Sequence, residues 1–250
     1  MEMFIAFIVS FVAGLIDAVA GGGGLIQLPA ILILFPHLAP AVVLSTNKIP
    51  SFSGAAAAAW AFSRRMKLNY TLVAVCSVCA LASSALGAHL ISLVPAVYFR
   101  PLVAGLLIFA VVVVLFGKFE GDKNEVHEFS WLAASVIGGL AGFYDGFFGP
   151  GTGTIIIVLL ASKLRLGFLS ATAHAKLINL ATNAGAITYF IASGNVEYGL
   201  ALPLAGANLL GGLVGSKLAL KRGNGFVRKM VLAVALFVAA KLVLELAGVA

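Results

Sequence analysis

The stretch Gly14–Pro29, GLIDAVAGGGGLIQLP, sets one aspartate and four consecutive glycines inside an otherwise apolar run. As a single spanning helix it fails. Each glycine costs about 1 kcal/mol relative to alanine in a helix, and a charge at the centre of a spanning helix costs roughly 2.5–3.5 kcal/mol on insertion scales. The stretch reads instead as a helix that stops inside the membrane, a break, and a short helix that restarts.

The rest of the chain supports a lipid setting. Of 250 residues, 62% are hydrophobic and only 10% charged, where a soluble domain carries about 25% charge; mean hydropathy is +1.11. Apolar segments long enough to span, at roughly 20 residues, recur at 3–20, 40–62, 71–92, 95–117, 129–148, 169–191, 199–219 and 226–248. Two shorter ones, 25–35 and 154–161, each follow a glycine-rich break. The expected fold is an all-α polytopic membrane protein with eight long helices and two short half-helices. The net charge of +7 sits mostly in short loops between spans, which fits orientation by basic loops and not a phosphate-binding groove, so nucleic acid is not an expected partner. Cys76 and Cys79 are the only cysteines; two thiols do not make a zinc site, and they read as small packing residues. Ala18-Val19-Ala20 resembles a signal-peptide cleavage site, but the preceding segment holds Glu2 and no basic residue, so it is read as a retained helix.

The opening stretch has a partner. Shifting the sequence by 128 residues lays Gly14, Asp17, Gly21 and Gly23 on Gly142, Asp145, Gly149 and Gly151. The same shift lays Lys48 on Lys176, Phe62 on Phe190, Tyr70 on Tyr198 and Gly87 on Gly215. The chain is therefore expected to be a duplication, with halves 1–122 and 123–250. The basic loops alternate between them. Arg64-Arg65-Met66-Lys67 has the uncharged counterpart Ser193-Gly194-Asn195, while Lys163–Arg165 and Lys217–Lys229 face counterparts holding only Arg100. If basic loops face the cytoplasm, the halves are inverted and both termini lie outside. Whether the short segments cross fully or form re-entrant hairpins is left open, since either gives the odd number of crossings that inversion requires.

Four charges lie well inside apolar segments: Asp17, Asp145, Lys48 and Lys176. One reading makes them two structural salt bridges between halves. Another makes some of them substrate ligands or proton carriers in a polar cavity. Thr172, Lys176, Asn179 and Asn183, spaced 4, 3 and 4 apart, fall on one helix face, and Asn47, Lys48 and Ser51 form a shorter stripe. An ammonium beside amides and hydroxyls suits an oxyanion; polar glue between helices is the plainer alternative. His174 points to nearly the opposite face and reads as an interhelical hydrogen-bonding residue before a proton relay. The breaks at Gly21, Gly22, Gly23 and Gly24, and at Gly149, Gly151 and Thr152, expose helix N-terminal amides that can hold an anion, or else permit close packing. Neither break matches a nucleotide-binding glycine loop, so no cofactor is expected.

At these residues the chain is similar to the sulfite exporter TauE/SafE family of membrane transporters. The resemblance is carried by GLIDAVAGGGG (14–24), STNK (45–48), GFYDGFFGPGTGT (142–154) and ATAHAKLINLATNAG (171–185). It implies a bacterial inner-membrane protein and, as in several members, export of sulfite or movement of organosulfur anions. By motif match it assigns Asp17, Gly21–Gly24, Asn47, Lys48, Asp145, Gly149, Gly151, His174, Lys176 and Asn179 to a central site or its support. The expected activity is alternating-access transport of a small, sulfur-containing anion, with no enzymatic step. An anion channel, or proton-coupled transport of another organic anion, is the alternative. The partners are that anion and the lipid bilayer; oligomeric state is left open, a homodimer among the options. A reporter fused to the C-terminus is expected to register outside the cytoplasm, and a cytoplasmic signal overturns this orientation.

Overall fold

The computed structural model describes residues 1–95, 98, 105 and 130–246. Among them are eight helices and no strand: α1 (Glu2–Ala20), α2 (Gly23–Leu34), α3 (Pro40–Ser63), α4 (Tyr70–Ser92), α5 (Trp131–Phe147), α6 (Thr152–Lys163), α7 (Phe168–Ala192) and α8 (Tyr198–Leu246). Both short helices expected after the breaks are present, each 12 residues long. At 1.5 Å per residue such a helix covers about 18 Å, too little to cross a hydrocarbon layer of about 30 Å alone. The expected spans 199–219 and 226–248, the latter described to residue 246, fall in α8 as two helical stretches that meet at Gly223, whose φ of 76° and ψ of −167° are non-helical. The expected span 95–117 and the boundary between 122 and 123 lie outside the described residues.

Three stretches, Glu2–Ala20, Tyr70–Ser92 and Tyr198–Val234, are each long and apolar enough to cross a membrane. Helices α3 and α7 are comparable in length, at 24 and 25 residues, but their polar stripes dilute the hydropathy. They can carry those stripes because they lie inside. Lys48, Asn47, Thr172, Lys176, Asn179 and Asn183 are all buried. Helix starts are capped where the chain leaves a connection: Asn69 Oδ1 accepts from Leu72 N at 3.0 Å, and Ser130 Oγ accepts from Ala133 N at 3.2 Å.

Lipid removes the hydrophobic drive between helices, so packing relies on small residues that let backbones approach. Helix α1 packs on α8 and α5 on α4, while α3 and α7 pack on each other and on α8 and α4 respectively. Two pairs of close approaches are related by the 128-residue offset. Gly14 abuts the Asn208 backbone and Gly142 the Ala80 backbone; Gly215 abuts Leu15 and Gly87 abuts Phe143.

The ends of the bundle differ in charge. Asn69 N donates to His174 Nε2 at 2.9 Å and Leu169 N to Asn224 Oδ1 at 3.0 Å. These bonds gather the α3–α4 connection, the α6–α7 connection and the bend in α8 at one end. Arg64, Arg65, Lys67, Lys163, Arg165, Lys221, Arg222, Arg228 and Lys229 flank them in sequence. At the other end, Glu197 N donates to Thr46 Oγ1 at 3.0 Å and Ser45 Oγ donates to Asn195 O; no lysine or arginine lies in 193–197 or 35–46.

The glycine contacts set a directional test. Gly142→Ala meets the α4 backbone and is expected to cost at least about 2 kcal/mol, in the range for overpacking. Gly139→Ala enters open space and is expected to leave stability within about 0.5 kcal/mol. Apparent melting temperatures in detergent compare the two.

Candidate functional site

The site grows from the two breaks. Helix α1 ends because Gly21 takes φ 78°, ψ 9°, a left-handed cap whose N–H donates to Asp17 O at 2.8 Å; only glycine adopts this conformation without strain. Helix α6 begins at Gly151, also left-handed at φ 85°. The breaks then meet. Thr154 N donates to Gly21 O at 3.1 Å and Thr154 Oγ1 to Ala20 O at 2.8 Å, so the start of α6 satisfies carbonyls left over at the end of α1. A Cβ on Gly21 would strike Gly153 and the Thr154 amide, and one on Gly153 would strike Gly21. Backbone crosses backbone here.

The four buried charges pair crosswise. Lys48 Nζ lies 3.0 Å from Asp145 Oδ2, each side chain 4% exposed, and also donates to the Asp145 carbonyl. Lys176 Nζ lies 2.8 Å from Asp17 Oδ2, at 0% and 17% exposure. Asp17 Oδ1 also accepts from Gly23 N at 3.4 Å, bridging the break to the first residue of α2. Lysine and aspartate positions correspond under the same offset, 48 + 128 = 176 and 17 + 128 = 145. Each pair therefore joins the first half of the sequence to the second. Charge neutrality inside lipid is met locally, and neither carboxylate nor ammonium is left alone.

Between the breaks lies a small polar cavity. Asp17, Gly21 and Gly24 line it from the first break, and Asp145, Gly149, Gly151 and Gly153 from the second; Asn47, Lys48 and Ser51 of α3 and Asn179 and Asn183 of α7 complete the polar wall. Several helix-start donors are already used, Gly23 N by Asp17, Thr152 N by Gly149 O and Thr154 N by Gly21 O. The amides of Gly24 and Gly153 make none of these bonds, and both residues face the cavity. Asn183 Nδ2 donates to Asn179 O at 2.8 Å, while Asn47 Oδ1 and Asn183 Oδ1 have no hydrogen-bond partner. An amide can turn either its oxygen or its NH2 toward a ligand.

Six residues singled out in the sequence, Thr172 among them, do not line this cavity. Lys176 is fully buried against Asp17. Gly22 abuts Val234, and Gly23 abuts Ala13 and Asp17. The Thr152 hydroxyl turns back to Gly149 O at 2.7 Å. His174 sits at the basic end of the bundle, with Nε2 accepting from Asn69 N and Nδ1 2.8 Å from Ser170 O. That bonding fixes the ring as a neutral tautomer with both nitrogens engaged, the interhelical role. Sequence reasoning missed Gly153 and Phe148 as lining residues. Gly153 was legible as a further glycine in Gly149-Pro150-Gly151-Thr152-Gly153; Phe148, an apolar wall residue, carried no signal. Among the described residues no cluster of His, Cys, Asp and Glu could hold a metal ion.

The family model described as sulfite exporter TauE/SafE matches residues 6–242. The chain belongs to the sulfite exporter TauE/SafE family. A "probable membrane transporter protein" of Haemophilus influenzae is 33% identical over 242 residues, covering 96% of this chain and 94% of its own. "Probable membrane transporter protein ORF9" of a Sinorhizobium species is 32% identical over 243 residues, covering 96% and 91%. "Probable membrane transporter protein YfcA" of Escherichia coli K12 is 31% identical over 245 residues, covering 98% and 90%. No solved structure matches the chain significantly. In this TauE/SafE member the polar cavity and its crossed ion pairs thus lie within a membrane transporter fold of apolar helices.

The crossed pairs predict strong coupling. Lys176→Met strands Asp17 and is expected to cost about 3–5 kcal/mol, the range for removing one partner of a buried pair. Lys176→Met with Asp17→Asn is expected to recover more than about 1 kcal/mol of that loss. Unfolding of the two singles and the double in detergent measures it as a double-mutant cycle.

Proposed function

We propose that the protein is a secondary transporter of a small anion, of the class of sulfur oxyanions and organosulfonates such as sulfite, working by alternating access. One observation carries the reading: Lys48, the Gly24 and Gly153 amides and three asparagines converge on one cavity where two broken helices meet. Lys48 and the two backbone amides are donor groups, each asparagine can present an oxygen or an NH2, and broken helices at the centre of a transporter recur as ion and substrate sites. Asp17 and Asp145 act as counter-ions that hold the lysines in place. The family name points to sulfite, and the relatives' description as probable membrane transporters fits transport and not catalysis.

The crossed pairs and the paired glycine contacts support an inverted repeat of halves 1–122 and 123–250, since symmetry-related positions make equivalent contacts. Alternating access then rocks one half against the other about the fixed site. The basic end of the bundle supports a cytoplasmic placement for the connections holding Arg64 and Lys163, with both termini outside a bacterial inner membrane.

Thermal shift and proteoliposome counterflow with sulfite, sulfate, thiosulfate, sulfonates and carboxylates test the substrate class. At least one anion is expected to stabilise the protein and to exchange saturably. Stabilisation by a cation alone, or channel-like current without counterflow, overturns the reading. Lys48→Ala, alone and with Asp145→Asn, is expected to lower anion affinity roughly 10- to 100-fold, the equivalent of one charge-assisted hydrogen bond in a buried site.

A further inference from the structure

We propose that each monovalent anion is carried with one proton, and that Asp145 is the group that takes it. The inference rests on the anion-site reading above and deepens it by naming the coupling ion.

The argument starts from the sum of charges. Lys48, Lys176 and Asp145, which are buried, and Asp17, which is partly buried, are the charges of the site, and their formal sum is zero. An anion entering such a site leaves it one negative charge in excess inside a membrane protein, where uncompensated charge is costly. A compensating positive charge must enter with it, and the two aspartates are not equally able to accept a proton. Asp17 keeps its partners: its carboxylate is held by Lys176, which is fully buried and does not line the cavity, and by Gly23 N–H. Both aspartates line the cavity, but of the two lysines only Lys48, the ion-pair partner of Asp145, does so.

An anion that binds Lys48 therefore competes with the Asp145 carboxylate for the same ammonium. The step balances: the Lys48–Asp145 ion pair plus an anion and a proton gives the Lys48–anion pair plus neutral Asp145. No covalent bond other than the O–H is made, and release on the far side reverses the step. Other titratable groups near Asp145 do not serve. Helix α3 presents Lys48 and α1 presents Asp17, while α7 presents Lys176, already held, and His174, which is bonded at the basic end. Helix α4 presents Ser84 opposite Gly146; its Cys76 bonds to Ala134 O and its His89 lies beside Tyr189. On α6 Lys163 ends the helix, and on α5 the neighbouring Tyr144 hydroxyl donates to Pro150 O. Anion–proton cotransport is electroneutral, so the flux follows the anion and pH gradients and not the membrane potential.

The test uses methanesulfonate, a sulfonate that carries no titratable proton of its own. Calorimetry of the detergent-solubilised full chain in buffers of different ionisation enthalpy is expected to show one proton taken up per anion bound. Because a proton is taken up, affinity falls as pH rises, by up to about tenfold per unit. In proteoliposomes, uptake is expected to follow an imposed pH gradient and to ignore a potassium–valinomycin potential. Asp145→Asn supplies the neutral form permanently: it is expected to bind methanesulfonate without proton uptake, with a flat pH profile, and to carry it in response to potential. Should the stranded Lys48 destabilise this variant, methanesulfonate is expected to restore its melting temperature by occupying the missing carboxylate's place. Anion binding by the wild type without proton uptake overturns the coupling alone, as does loss of proton uptake in Asp17→Asn but not in Asp145→Asn. If neither methanesulfonate nor sulfite binds or exchanges, the anion-site reading falls and the coupling with it.

Discussion

Two lysines and two aspartates buried among apolar helices must cancel within bonding distance, and the structure is arranged around that requirement. Asp17 and Asp145 each sit in the last turn of a helix that stops at a glycine break. A carboxylate there faces the negative end of the helix dipole, an unfavourable place unless cations or amides are supplied from elsewhere. The breaks supply them. The chain restarts at Gly23 with its N–H toward Asp17, and the lysine of the opposite half completes the coordination. The aspartate, the break and the distant lysine therefore form one unit, repeated with Asp145 and Lys48.

Close backbone approach is what lets the unit form. The crossing of Gly21 and Gly153 leaves no room for a side chain on either, and the carbonyls freed at the end of α1 are taken by Thr154. Without that crossing, the carbonyls would need water or an ion deep in the membrane. The remaining glycine contacts, Gly14 with Asn208 and Gly142 with Ala80, hold α1 to α8 and α5 to α4. They set where the two breaks stand relative to each other.

Much of this was legible in the sequence, for identifiable reasons. Four glycines in an apolar run admit few structures, so the break and the short helix beyond it followed from propensity alone. The 128-residue correspondence located the second break and matched the charges. Periodicity placed Lys176, Asn179 and Asn183 on one face of α7, but it does not say which neighbour that face meets. Lysine met aspartate across the halves, which was one of the two readings of the four charges, but spacing along the chain does not say which face reaches the cavity, and Lys176 stopped short of the cavity that Asn179 and Asn183 reach. Thr152 was misjudged for a similar reason: its hydroxyl closes on the nearer Gly149 carbonyl, a local bond that competes with any ligand. The break at Gly223 falls between the expected spans 199–219 and 226–248, where glycines flanked by basic residues interrupt the apolar pattern.

The departure from symmetry bears most on how the site works. The first break is four glycines; the second is Gly149-Pro150-Gly151-Thr152-Gly153, and proline has no N–H to give. Tyr144 takes the Pro150 carbonyl at 2.9 Å and Thr152 takes that of Gly149, so the second break is braced by side chains that the first lacks. Gly149 lies directly against the Lys48 ammonium, where a Cβ would sit 2.5 Å from it. The braced break thereby fixes a lysine at the cavity wall, whereas the plain one buries its lysine behind a carboxylate. A duplicated framework thus gives two equivalent ion pairs but unequal access to them. That inequality separates a pair whose lysine is sealed away from one whose lysine stands at the cavity wall.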